Sequence, residues 1–259
     1  MQRLDLLLVS QQLATSRTQA QQMLAKGRVS LFKDGQWQAV SKPGLKLPEQ
    51  SELQVTPSEE DRYVARSAFK LAAVIEATQL NLQDLEVLDI GQSTGGFTDY
   101  VLQAGAGRVV GLDVGQQQLH PSLRDDPRIF CLEKINARYL EPSTLTDQGL
   151  PSHYDLLVMD VSFISQTLIL PQLPALIQPS GWLMSLVKPQ FEVGKEKVGK
   201  GGLVRDPKLY KQVEQKITQQ LEALNLNVKI WMPSPILGGD GNQEFLVAAQ
   251  KPASNQGQE

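Results

Sequence analysis

The chain has 259 residues, 41% hydrophobic and 20% charged, with a net charge of −3, one cysteine and two histidines. These values exclude a disordered chain and a disulfide scaffold, and Cys131, His120 and His153 are too few to build a Cys/His metal site. The apolar region 156–177 is interrupted by Asp160, Pro171 and Pro174, and Asp5 sits inside the apolar run at the start, so neither a membrane span nor a signal peptide is read. A cytoplasmic protein without a metal is expected.

Leu4, Leu7, Leu8 and Leu13 place an apolar stripe on a helix over 3–13. A second helix opens on the capping box Ser16-Arg17-Thr18-Gln19, buries Ala20, Met23 and Leu24, and stops at Gly27. Val29–Phe32, the Asp34-Gly35 turn, Trp37–Val40 and Leu53–Val55 read as short strands, with Phe32 and Trp37 expected in a core rather than as stacking platforms. This makes a small α+β domain over 1–55. Its first 46 residues hold seven cations against Asp5 and Asp34, a patch suited to a phosphate backbone, with Arg3, Arg17, Lys26 and Arg28 as candidate contacts.

Residues 56–62 are polar and acidic and include Pro57, which predicts a linker. Helices over 67–78, 96–104, 165–177 and 207–224 then alternate with strands over 86–90, 108–113, 128–132, 154–160 and 182–188. Such alternation predicts a mainly parallel sheet covered on both faces. Two closing strands, 227–232 and 244–249, are close in sequence and predict an antiparallel pair at one side. A tail is expected over 252–259.

Chemistry gathers at strand ends. Asp89-Ile90-Gly91-Gln92-Ser93-Thr94-Gly95-Gly96 is an apolar strand running into a glycine-rich turn, where backbone N–H groups can approach a nucleotide-type cofactor. Ser93 stands where a dinucleotide fold needs its second glycine, which disfavours hydride transfer. Asp113 closes the next strand 22 residues after Gly91, about where an acid accepts from ribose hydroxyls. Asn136 and Ala137, after the third strand, are candidates to read the base of that cofactor. Asp160 and Lys188 terminate two further apolar strands, the ends where open α/β sheets bind ligands. Each charge alone reads equally well as an ordinary surface group. The segment 194–205 is glycine-rich and basic, with Lys195, Lys197, Lys200 and Arg205 as candidate grips on RNA phosphate, and it reads as a mobile flap.

Three runs, Asp-Ile-Gly-x-Ser-Thr-Gly-Gly-Phe-Thr-Asp at 89–99, Leu-Val-Lys-Pro-Gln-Phe-Glu at 186–192 and Val-Gly-Lys-Gly-Gly-Leu-Val-Arg-Asp at 198–206, resemble the TlyA family. Those bacterial proteins fuse an S4 RNA-binding domain to an FtsJ-like methyltransferase and are often labelled hemolysins. Arg3-Leu4-Asp5, Ser16-Arg17 and Gly27-Arg28-Val29 are similar to an S4 domain. The resemblance implies an S4-like domain over 1–55 and an FtsJ-like methyltransferase domain over 63–251, with a Rossmann-like α/β fold and a mainly parallel seven-stranded sheet. It also implies S-adenosylmethionine as cofactor, bound around Asp89, Gly91, Ser93, Thr94, Gly95, Gly96, Asp113, Asn136, Ala137 and Asp160. The substrate it implies is ribosomal RNA or a ribosomal subunit, methylated at a ribose 2'-hydroxyl by a tetrad of Lys70, Asp160, Lys188 and Glu244.

A ribose hydroxyl is a weak nucleophile, and a lysine, at about 10.4, serves as its base only where its surroundings lower that value. Lys188 is expected at the hydroxyl, with Asp160 orienting it and Lys70 and Glu244 completing the charge network. Gln92 stands where the family carries a small residue, so it either crowds the cofactor or donates to it. Gln116 and Gln117 stand where an aromatic residue is common. A non-catalytic RNA-binding protein and a hemolysin are the competing readings.

Overall fold

The computed structural model describes residues 1–254, so the tail expected over 252–259 lies, from 255 onward, outside the described residues. The chain forms two compact units, Met1–Arg62 and Tyr63–Glu259.

In the first unit, strand β1 (Gln2–Arg3) leads into helices α1 (Leu4–Ser10) and α2 (Arg17–Ala25), followed by β2 (Val29–Lys33), β3 (Gln36–Ala39), β4 (Lys46–Leu47) and β5 (Leu53–Val55). Strand β2 pairs antiparallel with both β3 and β5, and β1 pairs with β4. Helix α1 ends before Leu13, because Gln12 takes a left-handed backbone (φ 60°) and the Leu13 N–H turns back to the Leu8 carbonyl at 2.9 Å. Ser16 caps α2 by accepting from the Gln19 N–H at 3.2 Å, but the Gln19 side chain reaches Thr15 rather than completing the box on Ser16.

Leu4, Leu8, Met23, Leu24 and Val29 form the small core of this unit. Phe32 and Trp37 do not join it. They are 41% and 48% exposed, cross-strand partners with ring centroids 5.2 Å apart, because strand alternation sends Val29 and Leu31 inward and Phe32 outward. The segment expected as a linker is tied down: Arg28 donates to the Thr56 carbonyl at 2.8 and 2.9 Å and pairs with Asp61.

The second unit is built on β6 (Glu86–Ile90), β7 (Arg108–Asp113), β8 (Ile129–Glu133), β9 (Tyr154–Met159), β10 (Ile177–Val187), β11 (Asn227–Pro233) and β12 (Phe245–Gln250). Its helices are α3 (Ser67–Thr78), α4 (Gly96–Gln103), α5 (Pro142–Thr146), α6 (Pro189–Glu192) and α7 (Pro207–Ala223). The seven strands lie in the order β11-β12-β10-β9-β6-β7-β8, parallel from β10 to β8 and antiparallel where β12 inserts between β10 and β11. Both faces of the inner strands β6, β7, β9, β10 and β12 are buried, which is why those strands read as mostly apolar runs, whereas the edge strands β8 and β11 are only partly covered. Val87, Val109, Leu156 and Val158 pack on one side, and Leu88, Val110, Leu157 and Met159 on the other. At roughly 1.5–3 kcal/mol for each fully buried aliphatic side chain, this double layer dominates the favourable side of folding.

One predicted helix is absent. Residues 165–177 form two short 3-10 turns, Gln166–Leu168 and Leu170–Ala175, and β10 already starts at Ile177. Pro171 and Pro174 supply no N–H to an α-helical ladder, while the apolar spacing still buries Ile169, Leu170, Leu173 and Leu176.

Candidate active site

The parallel strands β6, β7, β8 and β9 all end at one edge of the sheet, and a cleft of about 450 Å³ opens beyond them. Gly91 makes the turn after β6 with φ 84°, and a Cβ at that position would lie 2.4 Å from the Asp160 carbonyl oxygen. The close approach of two strand ends therefore requires glycine. Asp113 holds the neighbouring turn, accepting from the Ser93 N–H at 2.8 Å and from the Gly115 N–H at 2.7 Å. Each carboxylate oxygen retains a lone pair for a ligand.

Of the residues expected around a cofactor, Gly91, Ser93, Asp113, Asn136, Ala137 and Asp160 line the cleft. Thr94, Gly95 and Gly96 do not. The Thr94 carbonyl accepts from His120, Gly95 packs against Leu119 and Leu123, and Gly96 opens α4 against Ser67. Asp89 is 1% exposed and lies behind the turn, where burial pushes its carboxyl up to about 7 despite the hydrogen bond from Thr98 at 2.7 Å. Gln92 does not line this cleft but a small recess beside it, which shares Ser93, Asp113 and Gln118 with the cleft. Its buried side chain crosses β7 at Gly111, where a Cβ would clash at 2.0 Å, and it bonds Thr98 at 2.9 Å.

An apolar wall of Val114, Ile135 and Ile169, with Gln118 beside it, completes the cleft. A concave apolar site with a few convergent polar groups suits a nucleoside, and its apolar wall is aliphatic, Gln116 and Gln117 offering no aromatic ring. Gly91 clears the backbone and Asp113 supplies the acceptor, so the residues present fit S-adenosylmethionine.

The four expected charges form two ion pairs. Lys70, on the first turn of α3, donates to Glu244 Oε2 at 2.5 Å, and the two residues are 8% and 3% exposed. Burial raises the Glu244 carboxyl above its ordinary value, partly offset by the Lys70 ammonium. Lys188 follows β10, and its ammonium lies 2.6 Å from Asp160 Oδ1. This is a charge contact without hydrogen-bond alignment, and the same ammonium donates to Ser162 Oγ at 2.7 Å. The β10–β12 register, Val187 opposite Phe245, makes Lys188 and Glu244 the next cross-strand neighbours. Lys188 and Asp160 accordingly act on the Glu244 carboxyl in opposite senses, which joins the two pairs electrostatically.

Two residues at this rim carried no sequence signal. Ser162 is a common serine beside an acid, and Phe163 is an apolar residue in an apolar stretch. Yet Phe163 is 92% exposed, lines the cleft, and holds a left-handed backbone (φ 66°), a conformation that costs a bulky residue about 1–3 kcal/mol. Its ring packs on Phe191, just beyond Lys188, with centroids 5.3 Å apart.

The expected RNA contacts divide. Asp5 is fully buried and accepts from Arg3 at 2.9 and 3.0 Å, from Arg17 at 2.8 Å and from Gln21 at 2.9 Å, bonds that hold its carboxyl far below the usual range. The Arg3 and Arg17 side chains remain 41% and 55% exposed. Arg28 is 12% exposed and committed to Asp61 and Thr56, so it serves the fold of its own unit rather than an outward surface. Lys26 is exposed. In the second unit Lys195, Lys197, Lys200 and Arg205 are exposed, but their segment is anchored, with Val204 buried and its carbonyl bonded by Tyr210 at 2.5 Å. Among the described residues no His, Cys, Asp and Glu cluster could hold a metal, and no helix is long and apolar enough to cross a membrane.

Residues 63–251 match the family described as FtsJ-like methyltransferase. Over its whole length the chain is 41% identical to YqxC of Bacillus subtilis, covering 89% of that protein. It is 38% identical to the 16S/23S rRNA (cytidine-2'-O)-methyltransferase TlyA of Mycobacterium tuberculosis, over 95% of this chain and 88% of the relative. A solved hemolysin-labelled structure from Streptococcus thermophilus superposes with a TM-score of 0.74 at 38% identity, covering 97% of this chain and 88% of that one. A Listeria monocytogenes structure described as an S-adenosylmethionine-dependent methyltransferase shares the fold at TM-score 0.54 and 13% identity, covering 72% of this chain and 99% of its own.

Proposed function

This chain belongs to the FtsJ-like methyltransferase family, with TlyA proteins among its near relatives, and from that premise we propose that it methylates a ribose 2'-hydroxyl of ribosomal RNA. One observation carries the reading: the Lys188 ammonium is held between Asp160 and Ser162 at the rim of a nucleoside-sized cleft, within the field of the Lys70–Glu244 pair. S-adenosylmethionine supplies an electrophilic methyl group on a sulfonium. Gly91, Ser93, Asp113, Asn136 and Ala137 would hold it.

In this reading Lys188 is the catalytic residue: having shed one proton to solvent, its neutral amine keeps its contacts with Asp160 and Ser162 and turns its lone pair to the 2'-hydroxyl. Asp160 and Ser162 aim it, and it takes up the hydroxyl proton as the carbon–oxygen bond forms. Lys70 and Glu244 fix the charge around it from a buried position. Phe163 offers a ring face to a base lifted from the RNA, which brings its ribose to the rim; such stacking contributes roughly 1–3 kcal/mol. The first unit acts as an S4-like RNA-binding domain, in which Arg3 and Arg17, oriented by Asp5, grip phosphate. The relative's name, an rRNA (cytidine-2'-O)-methyltransferase, supports ribosomal RNA and a cytoplasmic setting.

The test is incorporation of radiolabelled methyl from S-adenosylmethionine into unmodified ribosomal RNA, followed by mapping. Label on a ribose oxygen is expected. Label on a base, or none on either subunit's RNA, would overturn the reading.

A further inference from the structure

The basic segment 194–205 and the loop that carries Glu244 are joined through one buried side chain. Asn242 is 1% exposed. Its Oδ1 accepts from the Val204 N–H at 2.9 Å, while its Nδ2 donates to the Gly202 carbonyl at 2.9 Å and to Asp240 Oδ2 at 3.0 Å. Only one orientation of the amide serves this set, because the Val204 N–H needs an acceptor and the Gly202 carbonyl a donor. The backbone of Asn242 is fixed as well. Its N–H donates to Asp240 Oδ1 at 3.2 Å, and its carbonyl accepts from the Gly238 N–H at 2.9 Å.

Both ends of this link reach functional groups. Gly238 presses on Glu244, since a Cβ there would lie 2.6 Å from Glu244 Oε1, the carboxylate oxygen that Lys70 does not use. The Glu244 carbonyl is held by the Ser234 N–H at 2.8 Å, so the acid follows its loop rather than moving independently. At the other end, Gly202 and Val204 lie between the exposed Lys200 and Arg205. A phosphate bound across that segment therefore holds in place two hydrogen bonds of a buried amide placed two residues before the acid.

We propose that Asn242 is a positioning residue that couples the docking of the basic segment on RNA phosphate to the placement of Glu244 and, through it, of Lys70. The coupling rests on the methylation reading above and adds to it a route by which a properly seated RNA steadies the Lys70–Glu244 pair that the structure already holds.

Hydrogen exchange read by mass spectrometry tests this directly, with an unmodified ribosomal RNA transcript as probe. In the native chain the transcript should slow exchange in 199–205 and in 238–244 together. Asn242→Asp keeps the side chain's size but turns an oxygen toward the Gly202 carbonyl and Asp240. In that variant slowing should survive at 199–205 and vanish at 238–244, and methyl transfer should fall about tenfold or more with cofactor affinity by calorimetry unchanged. The triple variant Lys195→Ala/Lys197→Ala/Lys200→Ala, confined to exposed positions, should lose the slowing at both segments. Protection of 238–244 that persists in either variant overturns the coupling, as does a native chain protected at neither segment. Joint protection in a chain that transfers no methyl to RNA would uphold the coupling and overturn the methylation reading.

Discussion

The two lysine–carboxylate pairs have nearly the same length, 2.5 Å for Lys70–Glu244 and 2.6 Å for Lys188–Asp160, yet they are placed for different work. The inner pair's side chains are 10% and 4% exposed, whereas those of the outer pair are 13% and 20% exposed, and its lysine also donates to Ser162 at the rim of the cleft. A buried pair cannot release either partner without leaving an uncompensated charge. An outer pair keeps its lysine within reach of a substrate. On the proposed reading the contrast divides the four charges into a fixed half and a working half, with burial rather than charge assigning the roles.

The largest effect that would break this division is on turnover. Lys188→Ala should lower methyl transfer about a thousandfold, in the range of a lost general base, while calorimetric cofactor affinity stays within error. Equal turnover in that variant would remove Lys188 from the chemistry. Next, Glu244→Ala should cost about 3 kcal/mol in denaturant unfolding, because it strands the buried Lys70, and Asp160→Ala should cost visibly less. If Asp160→Ala proved the more damaging to stability, the inner and outer assignments would have to be exchanged.

A third measurement concerns the acid behind the cofactor turn. Asp89 ordinarily titrates at 3.8, and burial raises it to about 7 in the folded chain. Between these values the folded state keeps a proton that the unfolded state has shed, so this group's stabilising effect is complete below 3.8 and is lost as pH rises toward 7. Asp89→Asn cannot titrate. The stability difference between native chain and variant, measured without cofactor, should therefore shift against the native chain across that window. A pH-independent difference would show that Asp89 stays ionised under the turn.

Much of this was legible because the sequence carries the sheet in its period and the site in its strand ends. The apolar runs of the inner strands, the Gly91 turn and Asp113 are each local signals, and the fold brings the turn and the acid together beyond the ends of adjacent strands. Other features depend on what surrounds a residue. Pro171 and Pro174 stop a helix whose apolar spacing still looks helical, and Phe32 and Trp37 follow the outward phase of a two-sided hairpin. Burial of Asp5 and of Lys70 follows from partners distant in the chain, Arg17 and Glu244, so no window of sequence contains it. Ser162 and Phe163 gain their places only when Lys188 comes alongside.

The smallest expected effect bears on the rim rather than on either pair. Phe163 pays for a left-handed backbone while leaving its ring 92% exposed, an arrangement that packing alone does not reward. If the ring supports a base of the substrate, Phe163→Ala should raise the KM for RNA about tenfold, the lower end of a lost base–aromatic stack, with little change in kcat or in cofactor affinity. Because alanine keeps the Cβ that makes the left-handed backbone costly, the strain stays, and with an exposed ring removed thermal stability should change little. A fall in stability with an unaltered KM would make Phe163 a packing partner of Phe191, and the working half of the motif would then end at Ser162.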